Sequence, residues 1–152
     1  RSAPVEEHGL DEALEQMVRR FGEQNGIQAS WRLEGSPTPL LPVQANALYR
    51  IAEEALNNVE RHAGARHVDV ALAYGTGVTL TVHDDGTGFD PNNVDEGRYG
   101  LLGIRERATL VDGAVEISSA SGAGTTLKVE IAELWRPAEP WRAAVSRPEA
   151  NL

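Results

Sequence analysis

The stretch LYRIAEEALNNVERH, residues 48–62, decides how the rest of the chain is organised. Wound as a helix at about 100° per residue, it gathers its apolar side chains into one stripe about 140° wide. With Glu54 at 0°, Asn58 lies at about 40°, Arg61 at about −20° and His62 at about 80°, so a carboxylate, a carboxamide and a base line one edge of that stripe. Taken alone, an amphipathic helix with solvated charges is the simpler interpretation, and the stretches that follow it favour a site.

Length and composition indicate one globular domain with a tail. The chain has 152 residues, 41% hydrophobic and 24% charged, which is ordinary for a globular protein. Cysteine is absent, so disulfides and thiolate metal sites are excluded, as is typical of a cytoplasmic setting. No apolar run approaches the ~20 residues of a membrane span, and Arg1-Ser2 opens no signal peptide. Without an initiator Met, the chain is expected to be a piece of a longer protein whose membrane or sensor segments lie elsewhere.

The charge balance argues against direct nucleic-acid binding. The formal net charge is −9, and no cluster of Lys and Arg is present to bind a phosphate backbone. An acidic chain can still bind an anionic nucleotide if backbone donors and a divalent cation offset the phosphate charge.

The first half of the chain predicts two helices around a short strand. Apolar residues recur at three- and four-residue steps over residues 9–24, and they alternate with polar ones from Ile27 to Trp31. The segment GSPTPLLP at 35–42 suits neither a helix nor a central strand. The central helix is then expected from about Val43 to Ala63, where Gly64 stops it.

The second half predicts two β-hairpins flanking a short helix. Alternation over 67–82 and again over 114–131 indicates the hairpins, and residues 103–112, closed by Gly113, form the helix. The fold class is therefore α+β, a two-layer α/β sandwich whose mixed, mostly antiparallel sheet is covered by helices on one face. The other face either meets water or meets a partner.

Two segments carry no periodicity. Residues 83–100 are rich in Gly, Asp and Asn, as in functional lids or disordered loops. Residues 134–152 contain three prolines and form a tail, in which Trp135 and Trp141 are candidates for docking on the body.

The sequence DDGTGF, residues 84–89, suits contact with a flat ligand. Gly86 and Gly88 let the backbone approach closely, and a carboxylate at a strand end, Asp84, can accept a hydrogen bond from an exocyclic amine such as adenine N6. A turn with aspartates in their usual place is an equal alternative.

Two further glycine stretches are candidate ligand contacts. GLLGIR, residues 100–105, runs into a helix whose free amides can bind phosphates, although solvated arginines are the default for Arg105 and Arg107. GAGTT, residues 122–126, is first of all a hairpin turn, and Thr125 gains interest from the other stretches. Neither GxxxxGK[ST] nor GxGxxG occurs, so P-loop and Rossmann binding are not supported.

The central helix offers a metal ligand. Mg²⁺ needs few protein oxygens when waters and phosphates complete its octahedron, so Asn58 can be the sole protein ligand. Glu54, one turn away, can orient or deprotonate a nucleophile. Arg61 and His62 can meet phosphates, and His62 is equally suited to be a packed, hydrogen-bonded histidine.

Taken in order, EALNNVERH, DDGTGF, GLLGIRER and GAGTT resemble the N box, G1 box, G2 box and closing Gly-Thr of the GHKL ATPase superfamily. The longer stretches LYRIAEEALNNVERHAGA and GLLGIRERATLVDG are similar to the catalytic ATP-binding domain of sensor histidine kinases, in the subfamily that partners helix-turn-helix response regulators. The resemblance covers about residues 10–132 and implies the Bergerat α/β sandwich.

The resemblance also implies roles for individual residues. It makes Asn58 the Mg²⁺ ligand, Glu54 the acid of the N box, and Arg61 with His62 a basic pair near the phosphates of ATP. It makes Asp84 the residue that bonds the adenine amine. The remaining residues implied to contact the nucleotide are Gly86, Gly88, Gly100, Leu101, Gly103 and Thr125, and residues 89–99 are implied to form the ATP lid.

The implied activity is transfer of the γ-phosphoryl group of ATP to a histidine. No segment resembles the helical dimerisation domain that carries that histidine, since His8 lacks its context. The expected organisation is a linker remnant over 1–9, the catalytic domain over 10–133 and the tail over 134–152, a monomer unable to phosphorylate itself within a homodimeric kinase. The alternatives are a non-catalytic nucleotide-binding or docking module and a GHKL enzyme of other output, such as an anti-sigma serine kinase or an ATP hydrolase.

Overall fold

A five-stranded sheet with three α-helices on one face makes up the part of the chain that the computed structural model describes, residues 3–90, 92 and 100–134. The helices are α1 (Ala3–Asn25), α2 (Pro42–Asn58) and α3 (Leu101–Thr109), and a π-helical turn, Val59–Ala63, continues α2. The strands are β1 (Gln28–Glu34), β2 (His67–Tyr74), β3 (Val78–Asp84), β4 (Ala114–Ser119) and β5 (Thr125–Ile131). The predicted α+β two-layer sandwich is confirmed.

The sheet has the order β1-β2-β3-β5-β4. Strand β1 runs parallel to β2, because α2 lies between them in the chain and crosses over the sheet. The other three pairs are antiparallel, and they include both predicted hairpins. The register sets Asp84 opposite Thr125, so the end of β3 and the start of β5 meet at one edge of the sheet.

The core lies between the sheet and the helices. Leu72, Leu80 and Val129 from the strands are fully buried there, as are Leu14 and Leu48 from the helices. Each such side chain stabilises the fold by about 1.5–3 kcal/mol through its burial.

The opposite face of the sheet is polar. Ser30 donates a hydrogen bond to Asp69 across β1 and β2, and His83 is hydrogen-bonded to Thr126 across β3 and β5. Lys128 is exposed on the same face. In the described part of the chain this face therefore presents polar, exposed side chains.

The N-terminal helix is longer than its sequence pattern indicates. It begins at Ala3, not near residue 9, and Gly9 interrupts it with φ 80° and ψ 165°. The turn before Gly9 is held by Val5, which is buried in the same cluster as Leu10. The boundary between a linker and the domain at residue 10 stays a prediction.

Two other boundaries differ from the prediction. Strand β3 continues through Asp84, which pairs with Val68 on one side and Thr125 on the other, so the loop expected from residue 83 begins later. Helix α3 covers Leu101–Thr109 and not 103–112, because residues 110–112 form a turn in which Asp112 has a left-handed φ of 54°.

Some predictions lie outside the described residues. They are the lid over residues 91 and 93–99 and the tail from Trp135, including Trp141. Within the described ranges, none of the helices combines the length and apolar character needed to cross a bilayer.

Candidate functional site

A pocket opens between α2, α3 and the sheet, at the edge where Asp84 meets Thr125. Its walls are largely apolar, and a few polar side chains converge on it, the composition expected of a small-molecule site. The apolar side chains are those of Ala55, Val59, Val82, Phe89, Leu101, Ile104, Ile117 and Leu127. The polar residues are Asn58, His62, Asp84 and Thr125, and Gly88 completes the lining.

At the π turn that ends α2, His62 reaches the pocket and Arg61 does not. With i→i+5 hydrogen bonding, this turn rotates less per residue than the 100° assumed for an α-helix. His62 lines the pocket, half-buried, whereas Arg61 is exposed and does not line it. The implied place of Arg61 near the phosphates therefore stays a prediction.

Asn58 and Glu54 stand one turn apart on α2. Asn58 lines the pocket, and the Glu54 carboxylate lies against the backbone of Gly100, the residue that caps α3. Neither side chain is hydrogen-bonded to another residue of the described part. The side-chain oxygens of both residues are therefore available to a ligand. A carboxamide oxygen with a carboxylate nearby suits the coordination of Mg²⁺.

Gly100 joins α3 to this arrangement. Its φ of 67° is left-handed, and a Cβ placed there would lie 2.5 Å from Oε2 of Glu54. Only glycine combines that conformation with so close a neighbour without strain. Gly103, in contrast, lies inside α3 with open space beside it.

Asp84 lies at the base of the pocket and is only 5% exposed. Burial raises the pKa of its carboxyl, and the backbone N–H of Gly86, which donates to Oδ1 at 2.8 Å, partly offsets that rise. Oδ2 remains for a second donor. Gly86 itself does not line the pocket, so its contribution is to hold Asp84.

The neighbouring Asp85 does not line the pocket and instead contacts the start of β2. Its Oδ1 accepts hydrogen bonds from the backbone N–H groups of Arg66 and His67, both at 2.9 Å, and its Oδ2 lies 2.7 Å from Nδ1 of His67. The hydrogen bonds from His67 lower the pKa of this carboxyl to about 2. Asp85 thus ties the loop after β3 to the start of β2.

The loop after β3 also fits against the turn between β4 and β5. Gly88 has a φ of 69°, and a Cβ on it would collide with the carbonyl oxygen of Ala120. The carbonyl of Thr87 accepts a hydrogen bond from the N–H of Gly122. The two stretches DDGTGF and GAGTT therefore form one continuous wall of the pocket.

The structure brings most of the predicted site residues together. Asn58, His62, Asp84, Gly88, Leu101 and Thr125 line the pocket, whereas Glu54 and Gly100 lie against each other outside its lining. Arg61, Gly86 and Gly103 do not line it. Sequence reasoning missed Phe89 and Ile117 as walls, and it missed Ser119, whose hydroxyl lies 2.8 Å from that of Thr125. Ser119 follows Val115 and Ile117 on the inward face of β4, and a polar residue in that alternation is the signal that marks it.

With this geometry established, the chain can be placed among known proteins. Residues 43–134 match the histidine kinase-, DNA gyrase B-, and HSP90-like ATPases, and the chain belongs to that family. The family is one of ATPases, which implies nucleotide use.

Within the family, the chain is homologous to sensor histidine kinases. It is 33% identical over 132 residues to the signal transduction histidine-protein kinase/phosphatase DegS of Brevibacillus brevis, and this match covers 86% of the chain and 34% of that protein. It is 41% identical over 134 residues to the sensor histidine kinase MctS of Rhizobium johnstonii, covering 84% of the chain and 28% of that protein. The chain thus spans about a third of the length of these curated relatives, and the resemblance read from its boxes is confirmed.

A solved structure supports the fold. The histidine kinase domain from the Erythrobacter litoralis EL346 blue-light activated histidine kinase aligns with a TM-score of 0.60 at 19% sequence identity. The alignment covers 80% of this chain and 60% of that chain.

Proposed function

We propose that this chain is the ATP·Mg²⁺-binding catalytic part of a two-component sensor histidine kinase. It transfers the γ-phosphoryl group of ATP to a histidine on a helical dimerisation domain outside this chain. The observation that carries the proposal is the convergence of Asn58, His62, Asp84 and Thr125, from separate segments, on one largely apolar pocket.

The Asp84 end of the pocket suits the adenine ring. Gly86 occupies Oδ1 of Asp84, so Oδ2 is placed to accept a hydrogen bond from the exocyclic amine. Flat apolar walls, which include Phe89 and Ile117, suit the faces of the base. A guanine would present a carbonyl where adenine presents its amine, so the carboxylate discriminates between them.

The α2 end of the pocket suits the triphosphate. The free carboxamide of Asn58 suits Mg²⁺, which when bound neutralises phosphate charge and fixes its geometry. The N-terminal amides of α3, from Gly100 to Gly103, offer donors to phosphate oxygens. His62, one turn after Asn58, also lines this end of the pocket.

Phosphoryl transfer depends mainly on positioning and charge neutralisation. We assign to Glu54, whose carboxylate lies beside Gly100, the role of orienting or deprotonating an attacking group. The target histidine and the helix-turn-helix response regulator that receives the phosphoryl group are partners of the full kinase, which we propose to be a homodimer with this part in the cytoplasm.

The metal assignment is tested with a matched pair of asparagines. Asn58→Ala should lose at least about tenfold in ATP affinity with Mg²⁺ present and little with EDTA, because a ligand worth ~1.4 kcal/mol or more is removed. Asn57→Ala is the control, since Asn57 lines a different groove between α1 and α2. Calorimetry that gives Asn58→Ala the affinity of the unmutated chain removes Asn58 from the metal.

The transfer reaction is tested by adding the missing acceptor. The chain is mixed with ATP, Mg²⁺ and a separately made helical segment from upstream in the same kinase. Acid-labile phosphohistidine on that segment is the expected product. Phosphoserine would instead favour an anti-sigma serine kinase, and release of free phosphate without transfer would favour an ATP hydrolase of the GHKL superfamily.

A further inference from the structure

The hydroxyl of Ser119 stands at the junction between the loop after β3 and the turn between β4 and β5. Its Oγ accepts a hydrogen bond from the backbone N–H of Phe89 at 2.9 Å and donates to the carbonyl of Gly124 at 3.0 Å. It also lies 2.8 Å from Oγ1 of Thr125. The half-buried hydroxyl of Ser119 thus contacts two residues that line the pocket, Phe89 and Thr125, and also Gly124, which precedes β5.

The protons at this junction can be assigned by counting. A serine hydroxyl has one proton and two lone pairs. The proton goes to the Gly124 carbonyl, which can only accept, and one lone pair receives the Phe89 N–H. The second lone pair is left for the hydroxyl of Thr125, which therefore donates to Ser119. Thr125 then presents lone pairs, and no proton, to the pocket.

The surrounding contacts are made by the main chain. Gly122 donates its N–H to Thr87, and Gly88 fits against the carbonyl of Ala120. Substitution cannot remove these contacts without moving the backbone. The hydroxyl of Ser119 can be removed with almost no change in volume, so its contribution is separable.

We propose that Ser119 is a positioning residue for the nucleoside end of the ligand. It holds Phe89 at the pocket wall and fixes the hydroxyl of Thr125 as an acceptor beside Asp84. This inference rests on the proposed function, because it assumes that the base binds at Asp84.

The test compares Ser119→Ala with Ser118→Ala. Ser118 is the preceding residue of β4, exposed on the polar face of the sheet, so it controls for losing a strand serine. Calorimetry of the full 152-residue chain with adenosine and with ATP·Mg²⁺ should show Ser119→Ala weakening both by about tenfold, the size of one ordinary hydrogen bond. Ser118→Ala should match the unmutated chain for both ligands.

The pattern across the two ligands separates positioning from general destabilisation. A purely structural role would lower the melting temperature and leave both affinities unchanged well below it, and that result overturns the proposal. A loss for ATP·Mg²⁺ with none for adenosine also overturns it, because the effect would then lie at the phosphates. Failure of the unmutated chain to bind ATP·Mg²⁺ refutes the proposed function itself.

A second pair keeps the test decisive if Ser119→Ala does not fold. Ser119→Thr retains the hydroxyl and Ser119→Val has nearly the same shape without it. Thr should keep adenosine affinity within about threefold of the unmutated chain, whereas Val should lose about tenfold. Equal affinities for the two variants contradict the assignment.

Discussion

The two glycines of the GLLG stretch should respond to alanine in opposite directions. Gly100 has a left-handed φ and the Glu54 carboxylate beside it, whereas Gly103 is an ordinary helical residue with open space around it. An L-residue in the left-handed region costs about 1–2 kcal/mol. An alanine in a helix gains about 0.5–1 kcal/mol over glycine. In the free protein Gly100→Ala should therefore lower the free energy of unfolding while Gly103→Ala raises it, a difference of about 2 kcal/mol.

Urea unfolding of both variants without nucleotide measures this difference. A third and fourth variant, Glu54→Ala alone and with Gly100→Ala, separate backbone strain from the collision with Glu54. Strain persists in the Glu54→Ala background, whereas any cost due to the carboxylate disappears there. If Gly100→Ala stays within about 0.5 kcal/mol of the unmutated chain, as a neutral surface change would, the left-handed cap of α3 is refuted.

Three single side chains give further tests. The pKa of the Asp85 carboxyl falls from 3.8 to about 2 on folding, so the stability that Asp85 contributes is present above pH 3.8 and is lost as pH drops towards 2. Asp85→Asn should therefore weaken the pH dependence of the urea midpoint across that window, and an unchanged dependence contradicts the contact with His67. Burial raises the pKa of the Asp84 carboxyl, so its negative charge opposes folding once pH exceeds the pKa of the unfolded chain. Asp84→Asn should therefore leave the free energy of unfolding in urea at pH 7 equal or higher, while ATP affinity falls at least about tenfold. Equal affinity of the unmutated chain for ATP and GTP would contradict the role of Asp84 in adenine recognition. Leu80→Ala, at a fully buried position in the central strand, should cost about 2–5 kcal/mol in the same unfolding assay, and a loss under 1 kcal/mol would mean that the site collapses around the smaller side chain.

Much of the fold follows from local patterns in the sequence. Alternation over β2 and β3 and the apolar stripe of α2 predict both the elements and the face that each one buries. The helix ends are predicted less well. The turn before Gly9 depends on burial of Val5 against the core, which no local pattern reveals.

The sequence likewise predicts some residues of the candidate site and not others. Asp84 and Thr125 stand out in sequence because they accompany glycines, and the register of β3 with β5 then brings them together. The helical wheel could not settle that His62 lines the pocket and Arg61 does not, because it assumes one rotation per residue and the chain changes to a π turn at Val59. Ser119 acts through tertiary hydrogen bonds, which the sequence does not reveal. Alternation along β4 marks Ser119 only as a polar residue on an apolar face.

The parallel pairing of β1 with β2 has a practical consequence for trimming the protein. The family match begins at residue 43, after α1 and β1, yet Leu14 on α1 is fully buried and β1 covers one side of β2. A fragment cut at that boundary would leave a row of unpaired amides on β2 and a bare apolar surface on α2. Exposed strand edges recruit other chains, so such a fragment should aggregate, and expression should start upstream of Ala3.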